Sequence, residues 1–189
     1  MATKEKQRCP WCLKDAIYMD YHDSVWGHAE HDDKNLFAKL ILDGAQAGLS
    51  WYTILIRTGS YAKAYHDWDA RMIAKYGEKD IERLMNDAGI IRNRSKVMAS
   101  IGNAQAYLRI MEDGPGSFDR FLWKHVGGKT IKYNGRGGIP VSTPESDAMS
   151  KDLKKHGFKF VGTTIVYAFM QACGMVDDHL PTCWRRTGS

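Results

Sequence analysis

The sequence lacks any long hydrophobic run. None of its apolar stretches approaches the roughly 20 residues that a transmembrane helix requires, and the opening segment MATKEKQR lacks the apolar core of a signal peptide. With 43% hydrophobic and 26% charged residues, the chain of 189 residues has the composition of a folded globular domain. We therefore expect a monomeric cytoplasmic protein that makes no contact with a membrane.

Patterns typical of β-strands are also scarce. Apolar residues recur at helical spacing along nearly the whole chain, and the longest stripe, at alternating steps of four and three, comprises Val97, Ile101, Ala104, Leu108 and Met111. Residues 127–144 contain five glycines and two prolines, so they are predicted to form a surface loop or a short hairpin. The sequence therefore predicts an all-α fold.

Polar residues predict where several helices begin and end. Asp32 and Asp33, then Ser50, then Asp69 stand at the starts of periodic apolar segments, where such side chains can accept a hydrogen bond from the first helical turn. A further helix is predicted from about residue 79 to residue 88, with Gly89 as the residue that ends it. The chain is thus predicted to be a succession of helices.

Net charge leaves two interpretations open. Lysine and arginine number 27 and aspartate and glutamate 22, which gives a formal net charge of +5. An excess of positive charge favours an anionic partner such as nucleic acid, but it is equally typical of a basic enzyme without such a partner.

Cysteine is infrequent, with four residues in the chain. In a reducing compartment such residues are thiols or metal ligands rather than disulfides. Cys9 and Cys12 form a C-x-x-C pair typical of thiol oxidoreductases, but those enzymes require a βαβ unit that the helical pattern does not provide. Two zinc sets remain: both of these thiols with His179 and Cys183, or Cys9 and His22 with the same C-terminal pair. Either set would link the chain ends in a closed structural site.

Aromatic residues concentrate between residues 18 and 51. The set comprises Tyr18, Tyr21, Trp26 and Trp51. Asp43 is the one acid in the apolar segment LILDGAQAGLSW. Aromatic faces with a single buried acceptor can stack a flat heterocycle and bind its edge. The same pattern is typical of an aromatic core with Asp43 near a helix end, and spacing alone favours that core interpretation.

Several longer segments resemble one known family. They are YHDSVWG, GAQAGLSWYTIL, DAGIIRNRSKV, IGNAQAYL and GFKFVGTTIVYAFMQACG followed by DDH. Together they are similar to the bacterial DNA-3-methyladenine glycosylase I family, from about Cys9 to Cys183. The resemblance implies an all-α helix-hairpin-helix DNA glycosylase fold and a cytoplasmic enzyme that excises 3-methyladenine from alkylated double-stranded DNA. It also implies one domain over residues 9–184, with two helical lobes around the base pocket, a flexible tail at 1–8 and a second tail at 185–189.

The resemblance favours one of the two sets of zinc ligands. The family holds a structural Zn²⁺ with a cysteine and a histidine thirteen residues apart near the N-terminus, a spacing that Cys9 and His22 match. His179 and Cys183 match the C-terminal pair of ligands. Cys12 has no role in the family pattern.

The resemblance also assigns a base pocket. The family's aromatic residues match Tyr18, Tyr21, Trp26 and Trp51. Its acidic residue is a glutamate, and Asp43 stands at that position here, which draws the acceptor back by about one methylene group unless the backbone or a water compensates. We expect Asp43 to be the catalytic and base-binding acid. The alternatives are a non-catalytic DNA-binding relative or a glycosylase with an altered lesion preference.

Two segments are expected to contact DNA. Leu49 is the candidate wedge that fills the space of an extruded base, although it is also interpretable as a core leucine. The hairpin GFKFVGTT is expected to present a helix start to a phosphate through Lys159, Gly162, Thr163 and Thr164. Phe160 stands where the superfamily has its first hairpin glycine. Three further lysines near the hairpin add non-specific affinity or form a solvated helix face: Lys151, Lys154 and Lys155.

The resemblance separates this chain from the glycosylases that also cleave the DNA strand. Those enzymes carry a nucleophilic lysine at the position that Thr164 occupies here, so a glycosylase without lyase activity is expected. Free 3-methyladenine would be the product. Asp177 resembles the acid of other superfamily members and is a candidate activator of water.

Overall fold

The computed structural model describes residues 6–132 and 139–186 of the chain. Within these ranges the helices are α1 (Ala16–Ser24), α2 (Asp33–Gln46), α3 (Trp51–Leu55), α4 (Thr58–Ala64), α5 (Ala70–Ile73), α6 (Glu78–Met85), α7 (Arg94–Met111), α8 (Ser117–Trp123), α9 (Pro144–Lys155) and α10 (Thr163–Ala172). Short 3-10 turns occur at Pro10–Cys12, His66–Trp68 and Lys124–Val126. Two strands of two residues each, β1 (Ile131–Lys132) and β2 (Val176–Asp177), pair in parallel. The prediction of a mainly helical fold is confirmed.

The predicted helix starts are confirmed at atomic detail. Asp32, Ser50 and Asp69 precede α2, α3 and α5, and each side chain accepts a hydrogen bond from a backbone N–H group of the first turn. Such a cap satisfies donors that have no partner within the helix. Of the two candidates at α2, Asp32 is the N-cap and Asp33 is the first helical residue.

The predicted helix from residue 79 to residue 88 ends earlier than expected. Helix α6 stops at Met85, and Asn86 is its C-cap. The carboxylate of Asp87 accepts a hydrogen bond of 2.7 Å from the N–H group of Gly89. This local turn competes with the helix for the backbone, so Gly89 lies three residues past the C-cap instead of directly after the helix.

Helices α2 and α7 form the centre of the fold. Helix α2 packs against α3, α7, α8 and α10. Of the predicted stripe on α7, Val97 and Ala104 are buried, whereas Ile101 is half-buried. The deepest face of α7 also includes Asn103 and Tyr107, because α7 is covered by helices on more than one side. Periodicity located the helix correctly but placed the centre of its buried face slightly off.

The two ends of the described chain meet. The N–H group of Trp184 donates to the carbonyl of Gln7 over 2.9 Å, and Arg8 forms an ion pair of 2.8 Å with Asp23. The remaining residues of the predicted tails, 1–5 and 187–189, lie outside the described residues, as does the central part of the predicted loop, 133–138. None of the described helices combines the length and hydropathy needed to cross a membrane.

Candidate functional site

A cavity of about 250 Å³ lies among α1, α2, α3 and α10. All five residues that the sequence assigned to a base pocket line it: Tyr18, Tyr21, Trp26, Asp43 and Trp51. Tyr21 and Trp26 are buried, while Tyr18 and Trp51 are half-buried. The aromatic residues therefore form a small cluster and the wall of a cavity at once, so the core interpretation and the pocket interpretation are both partly correct.

The aromatic walls are packed edge to face around Trp11 and at a tilt between Tyr21 and Trp51. The rings of Trp11 and Trp26 lie 5.0 Å apart at 72°, and the rings of Trp11 and Tyr18 lie 5.1 Å apart at 67°. On the other side, the rings of Tyr21 and Trp51 lie 5.4 Å apart. Edge-to-face and offset arrangements are the favourable geometries for aromatic pairs, so these contacts stabilise the positions of the rings. Such walls can sandwich a planar heterocycle without first rearranging.

Asp43 is an acidic residue of the cavity wall. Only 1% of the residue is exposed, and burial raises the pKa of its carboxyl group, an effect that Lys39 opposes. The ammonium group of Lys39 donates a hydrogen bond to Oδ1 of Asp43. Among the described residues, Oδ2 of Asp43 has no hydrogen-bond partner, and neither do the ring N–H groups of Trp11 and Trp51. Because buried polar atoms are normally paired, the three atoms indicate the place of a polar ligand.

Sequence reasoning missed four polar or aromatic residues of the cavity wall. They are Trp11, Lys39, Gln46 and Gln171. Lys39 precedes Asp43 by one helical turn, and that spacing was a usable signal. Trp11 gave no such signal, because it reaches the cavity only through the packing of the chain end against α1.

A second buried group lies next to the cavity. The ligand atoms of Cys9, His22 and Cys183 all lie within 4.8 Å of one another. The Nε2 atom of His22 is 3.4 Å from Sγ of Cys183, close to the separation of about 3.5 Å expected for two ligands of a tetrahedral zinc ion. The Nδ1 atom of His22 bonds to Asp23 over 2.9 Å, which directs Nε2 toward the thiols. Burial and the Cys183 thiol raise the pKa of Cys9 to about 12.

His179, the fourth predicted ligand, borders this group. Its ring centre lies 5.2 Å from that of His22, and its Nδ1 atom bonds to Asp177 over 2.9 Å. Its Nε2 atom is buried and has no hydrogen-bond partner among the described residues. At Gly27, where φ is +80°, a Cβ atom would lie 2.5 Å from Cε1 of His179, so a close fit also positions the ring. The donors and their orientation fit a zinc ion.

Two nearby residues do not belong to this set of donors. The thiol of Cys12 donates to the carbonyl of Cys9 over 3.1 Å, and it is not part of the group of three ligand atoms. Asp177 accepts hydrogen bonds from the backbone and the ring of His179 and does not line the cavity. Its geometry is therefore that of a residue that orients His179, and the interpretation as an activator of water gains no support.

The segment between α9 and α10 contains a residue with a side chain in the left-handed conformation. Phe160 has a φ of 55°, the left-handed conformation that glycine adopts readily. The side chain of Asn103, buried in α7, accepts a hydrogen bond of 2.8 Å from the N–H group of Lys159 and donates one of 3.0 Å to the carbonyl of Lys159. Gly162 is the N-cap of α10, and Thr164 in the first turn is exposed. The hairpin therefore presents a helix start to solvent.

The loop after α2 is also held in place. Leu49 is 40% exposed, so the interpretation as a core leucine is wrong. The ammonium group of Lys96 donates to the carbonyls of Ala45 and Ala47 over 2.8 and 2.6 Å, at the end of α2. Burial lowers the pKa of Lys96. A cation at a helix C-terminus stabilises that end, and here it anchors the loop that carries Leu49.

Comparison with known proteins identifies the family. The methyladenine glycosylase family matches residues 11–186. The chain is 49% identical to DNA-3-methyladenine glycosylase 1 of Escherichia coli strain K12 over 94% of this chain and 95% of that protein. It is similar to a crystal structure of 3-methyladenine DNA glycosylase I (TAG), with a TM-score of 0.91, 47% identity and coverage of 95% of this chain and 100% of that chain.

A solved structure from Staphylococcus aureus links this fold to a ligand. That protein, a 3-methyladenine DNA glycosylase I (TAG), is described with the structural basis of its recognition of 3-methyladenine. Its TM-score is 0.89 at 38% identity, and the match covers 96% of this chain and 97% of that chain. The match over nearly the whole chain, in sequence and in fold, means that this protein belongs to the methyladenine glycosylase family.

Proposed function

We propose that this protein is a DNA repair glycosylase that excises 3-methyladenine from alkylated double-stranded DNA. The observation that carries the proposal is the free Oδ2 atom of Asp43, buried in an aromatic cavity with no partner among the described residues. Such an acceptor can bind the exocyclic amino group of an adenine while the rings of Trp26 and Trp51 pack on its faces. The names of the relatives agree with this activity.

The reaction requires little acid or base chemistry from the protein. Methylation at N3 gives the adenine a positive charge, so the bond from C1′ to N9 breaks with both electrons passing to the base, which leaves neutral. A water molecule then forms a bond to C1′ and releases a proton. Asp43 contributes by binding the base as it departs, and the aromatic walls position the base.

The base must leave the duplex before this reaction can occur, because a stacked base cannot enter the cavity. The exposed side chain of Leu49 follows α2, the helix that carries Asp43. We assign to it the role of a wedge that occupies the vacated stack. Loss of stacking is the energetic cost that such an apolar insertion offsets.

The hairpin supplies the contacts to the DNA backbone. The free N–H groups at the start of α10 and the exposed side chain of Lys159 suit a phosphate. Lys151, Lys154 and Lys155 are also exposed, and they would add non-specific affinity that weakens with salt. Asn103 positions this hairpin through the backbone of Lys159.

We further propose that Cys9, His22, His179 and Cys183 hold a structural Zn²⁺. Two thiols and two imidazoles, each imidazole oriented by a carboxylate, match the donor set of a closed tetrahedral site. When bound, the ion would supply a link between the chain ends and no catalytic position. The pocket, the hairpin and this site all come from one chain, so we propose that the enzyme acts as a monomer in the bacterial cytoplasm.

Two assays test the proposed activity. Duplex DNA treated with a methylating agent is incubated with the protein, and released bases are separated by chromatography; we expect 3-methyladenine. Since Thr164 is no amine nucleophile, borohydride should trap no covalent adduct with DNA. Binding of DNA without base release would support the non-catalytic relative instead. The free oxygen of Asp43 argues against that alternative, because the shorter acid still provides an acceptor in the cavity.

A further inference from the structure

The strongest unexplained feature of the cavity is its lysine. Lys39 lies on α2, lines the cavity and is itself mostly buried, with 15% of its side chain exposed. Its ammonium group donates to Oδ1 of Asp43 and also lies 4.0 Å from the centre of the Trp51 ring. One cation therefore contacts both the acceptor and a stacking wall of the pocket.

We propose that Lys39 is a positioning residue of the base pocket, which holds Oδ1 of Asp43, keeps the buried carboxyl group ionised and leaves Oδ2 to the base. This inference rests on the proposed function for the identity of the ligand.

Helix stability does not account for the pair. An exposed pair of opposite charges one turn apart contributes about 0.2–0.5 kcal/mol, and less when the lysine precedes the acid, as Lys39 precedes Asp43. The pair here is buried, where withdrawing both charges from water opposes folding. Burial of this ion pair costs solvation free energy, and the pair contributes little to the stability of its helix. Its presence is better explained by the ligand that the free oxygen of Asp43 can bind.

Lys39 is the charge that decides the ionisation of Asp43. A carboxyl group as buried as this one has its pKa raised by desolvation, and a cation in contact lowers it again. The other titratable groups that face Asp43 are Tyr21 on α1 and Cys173 after α10. Burial raises the pKa of both, so they are neutral near pH 7. Among the described residues, Lys39 therefore supplies the opposing charge.

The ionised state matters for recognition. A protonated carboxyl group turns one acceptor oxygen into a donor, and it loses the charge-assisted hydrogen bond that an ionised group forms with an amino group. The direction of the effect follows: as the pH falls through the pKa of Asp43, recognition of the base is lost. Without Lys39 that pKa is higher, so the loss occurs at a higher pH.

The choice of substitution follows from a second cavity. A space of about 380 Å³, lined in part by Leu42, Trp68 and Cys173, lies on the other side of Lys39. Because truncation to alanine would widen both cavities, Lys39→Met is preferred, as it removes the charge and retains much of the volume. Lys39→Gln is the second variant, in case the first is unstable, and Lys39→Arg keeps the charge. Lys34→Met, on the exposed face of the same helix, is the matched control.

Two measurements are made on each folded variant. The first is kcat/KM for release of 3-methyladenine from methylated duplex DNA between pH 5 and pH 9, and the second is titration of the Asp43 carboxyl carbon by NMR. In Lys39→Met and Lys39→Gln, the acid limb and the carboxyl titration should move up by about one pH unit or more. Lys34→Met should match the wild type in both measurements, and Lys39→Arg, which keeps the charge, should leave the acid limb and the carboxyl titration at the wild-type pH. In an Asp43→Asn background, Lys39→Met should cause no further loss of kcat/KM.

The outcomes separate this inference from the proposed function. Release of 3-methyladenine with an unmoved acid limb and an unmoved titration in both uncharged variants would overturn the role of Lys39 and leave the function standing. If Lys39→Met lowers kcat/KM equally in the wild type and in the Asp43→Asn background, the role of Lys39 is overturned as well. If the wild type releases no base but the carboxyl titration moves as expected, the proposed function fails and the positioning role is retained.

Discussion

The base pocket adjoins the cysteine–histidine group, formed by Cys9, His22, Cys183 and the bordering His179, yet the polar atoms of the two regions are arranged differently. The rings of Trp26 and His179 lie 4.5 Å apart and belong to the two regions. In the cysteine–histidine group, a carboxylate bonds to Nδ1 of each imidazole, and the Nε2 atom of His22 lies 3.4 Å from the thiol of Cys183. In the pocket, one oxygen of Asp43 and the ring N–H group of Trp51 have no partner among the described residues.

This difference indicates what each region binds. Donors that converge within 4.8 Å and are oriented from behind suit a single ion that becomes part of the fold. An unpaired acceptor and unpaired donors around a cavity of about 250 Å³ suit a planar molecule that enters and leaves. The first region should therefore matter most for stability, and the second for activity.

The largest effect is expected in the cysteine–histidine group. His22→Ala should lower the metal content from about one zinc per chain and destabilise the fold by about 4 kcal/mol or more, as loss of a structural metal does. Cys12→Ser, a neighbouring thiol outside the ligand set, is the control and should retain the zinc. Metal analysis and urea unfolding measure both. Retained zinc in His22→Ala together with its loss in Cys12→Ser would show that the assigned ligands are wrong.

At Asp43 we expect substitution to affect stability less than it does at His22 and to act mainly on activity. Asp43→Asn should reduce excision of 3-methyladenine by about tenfold or more, because the amide loses a charge-assisted hydrogen bond worth about 1.5–3 kcal/mol. Asp43→Glu, which restores the family residue, should equal or exceed the wild type. DNA affinity, measured by fluorescence anisotropy, should be unchanged in both. Full activity of Asp43→Asn would mean that the aromatic walls alone select the base.

The smallest effect is expected at Leu49. Leu49→Ala should leave the free energy of unfolding within about 0.5 kcal/mol of the wild type, because the side chain is exposed. It should slow excision from duplex DNA by roughly threefold, since the extruded base loses its replacement in the stack. Excision from single-stranded DNA should not change. Met72→Ala on α5, 46% exposed, is the control. Equal slowing on both substrates would contradict the wedge.

The fold could be predicted from the sequence where local chemistry decides it. The caps at Asp32, Ser50 and Asp69 depend on a side chain and the backbone three residues on, and all three were predicted. The buried face of α7 was predicted less well, because it depends on which helices cover α7. The left-handed backbone at Phe160 was not predicted at all, since only the surrounding packing imposes that conformation on a residue with a side chain.

The residues of the candidate site show the same contrast between what local sequence reveals and what only tertiary packing decides. The resemblance led to Tyr18 and Asp43, and the structure brings both to one cavity. Lys39 was overlooked, although its position one turn before Asp43 was visible in the sequence. Trp11 and Asn103 could not have been found, because the first reaches the cavity through the chain end and the second holds the hairpin across 56 residues of sequence.

The central claim is that the unpaired atoms of the cavity are completed by an alkylated adenine. A crystal structure of the protein soaked with free 3-methyladenine tests it most directly. We predict the base in the cavity, between the rings of Trp26 and Trp51, with Oδ2 of Asp43 within about 3.2 Å of its amino nitrogen and Oδ1 still bonded to Lys39. A base bound elsewhere, or a base in the cavity with Oδ2 still unpaired, would contradict the claim.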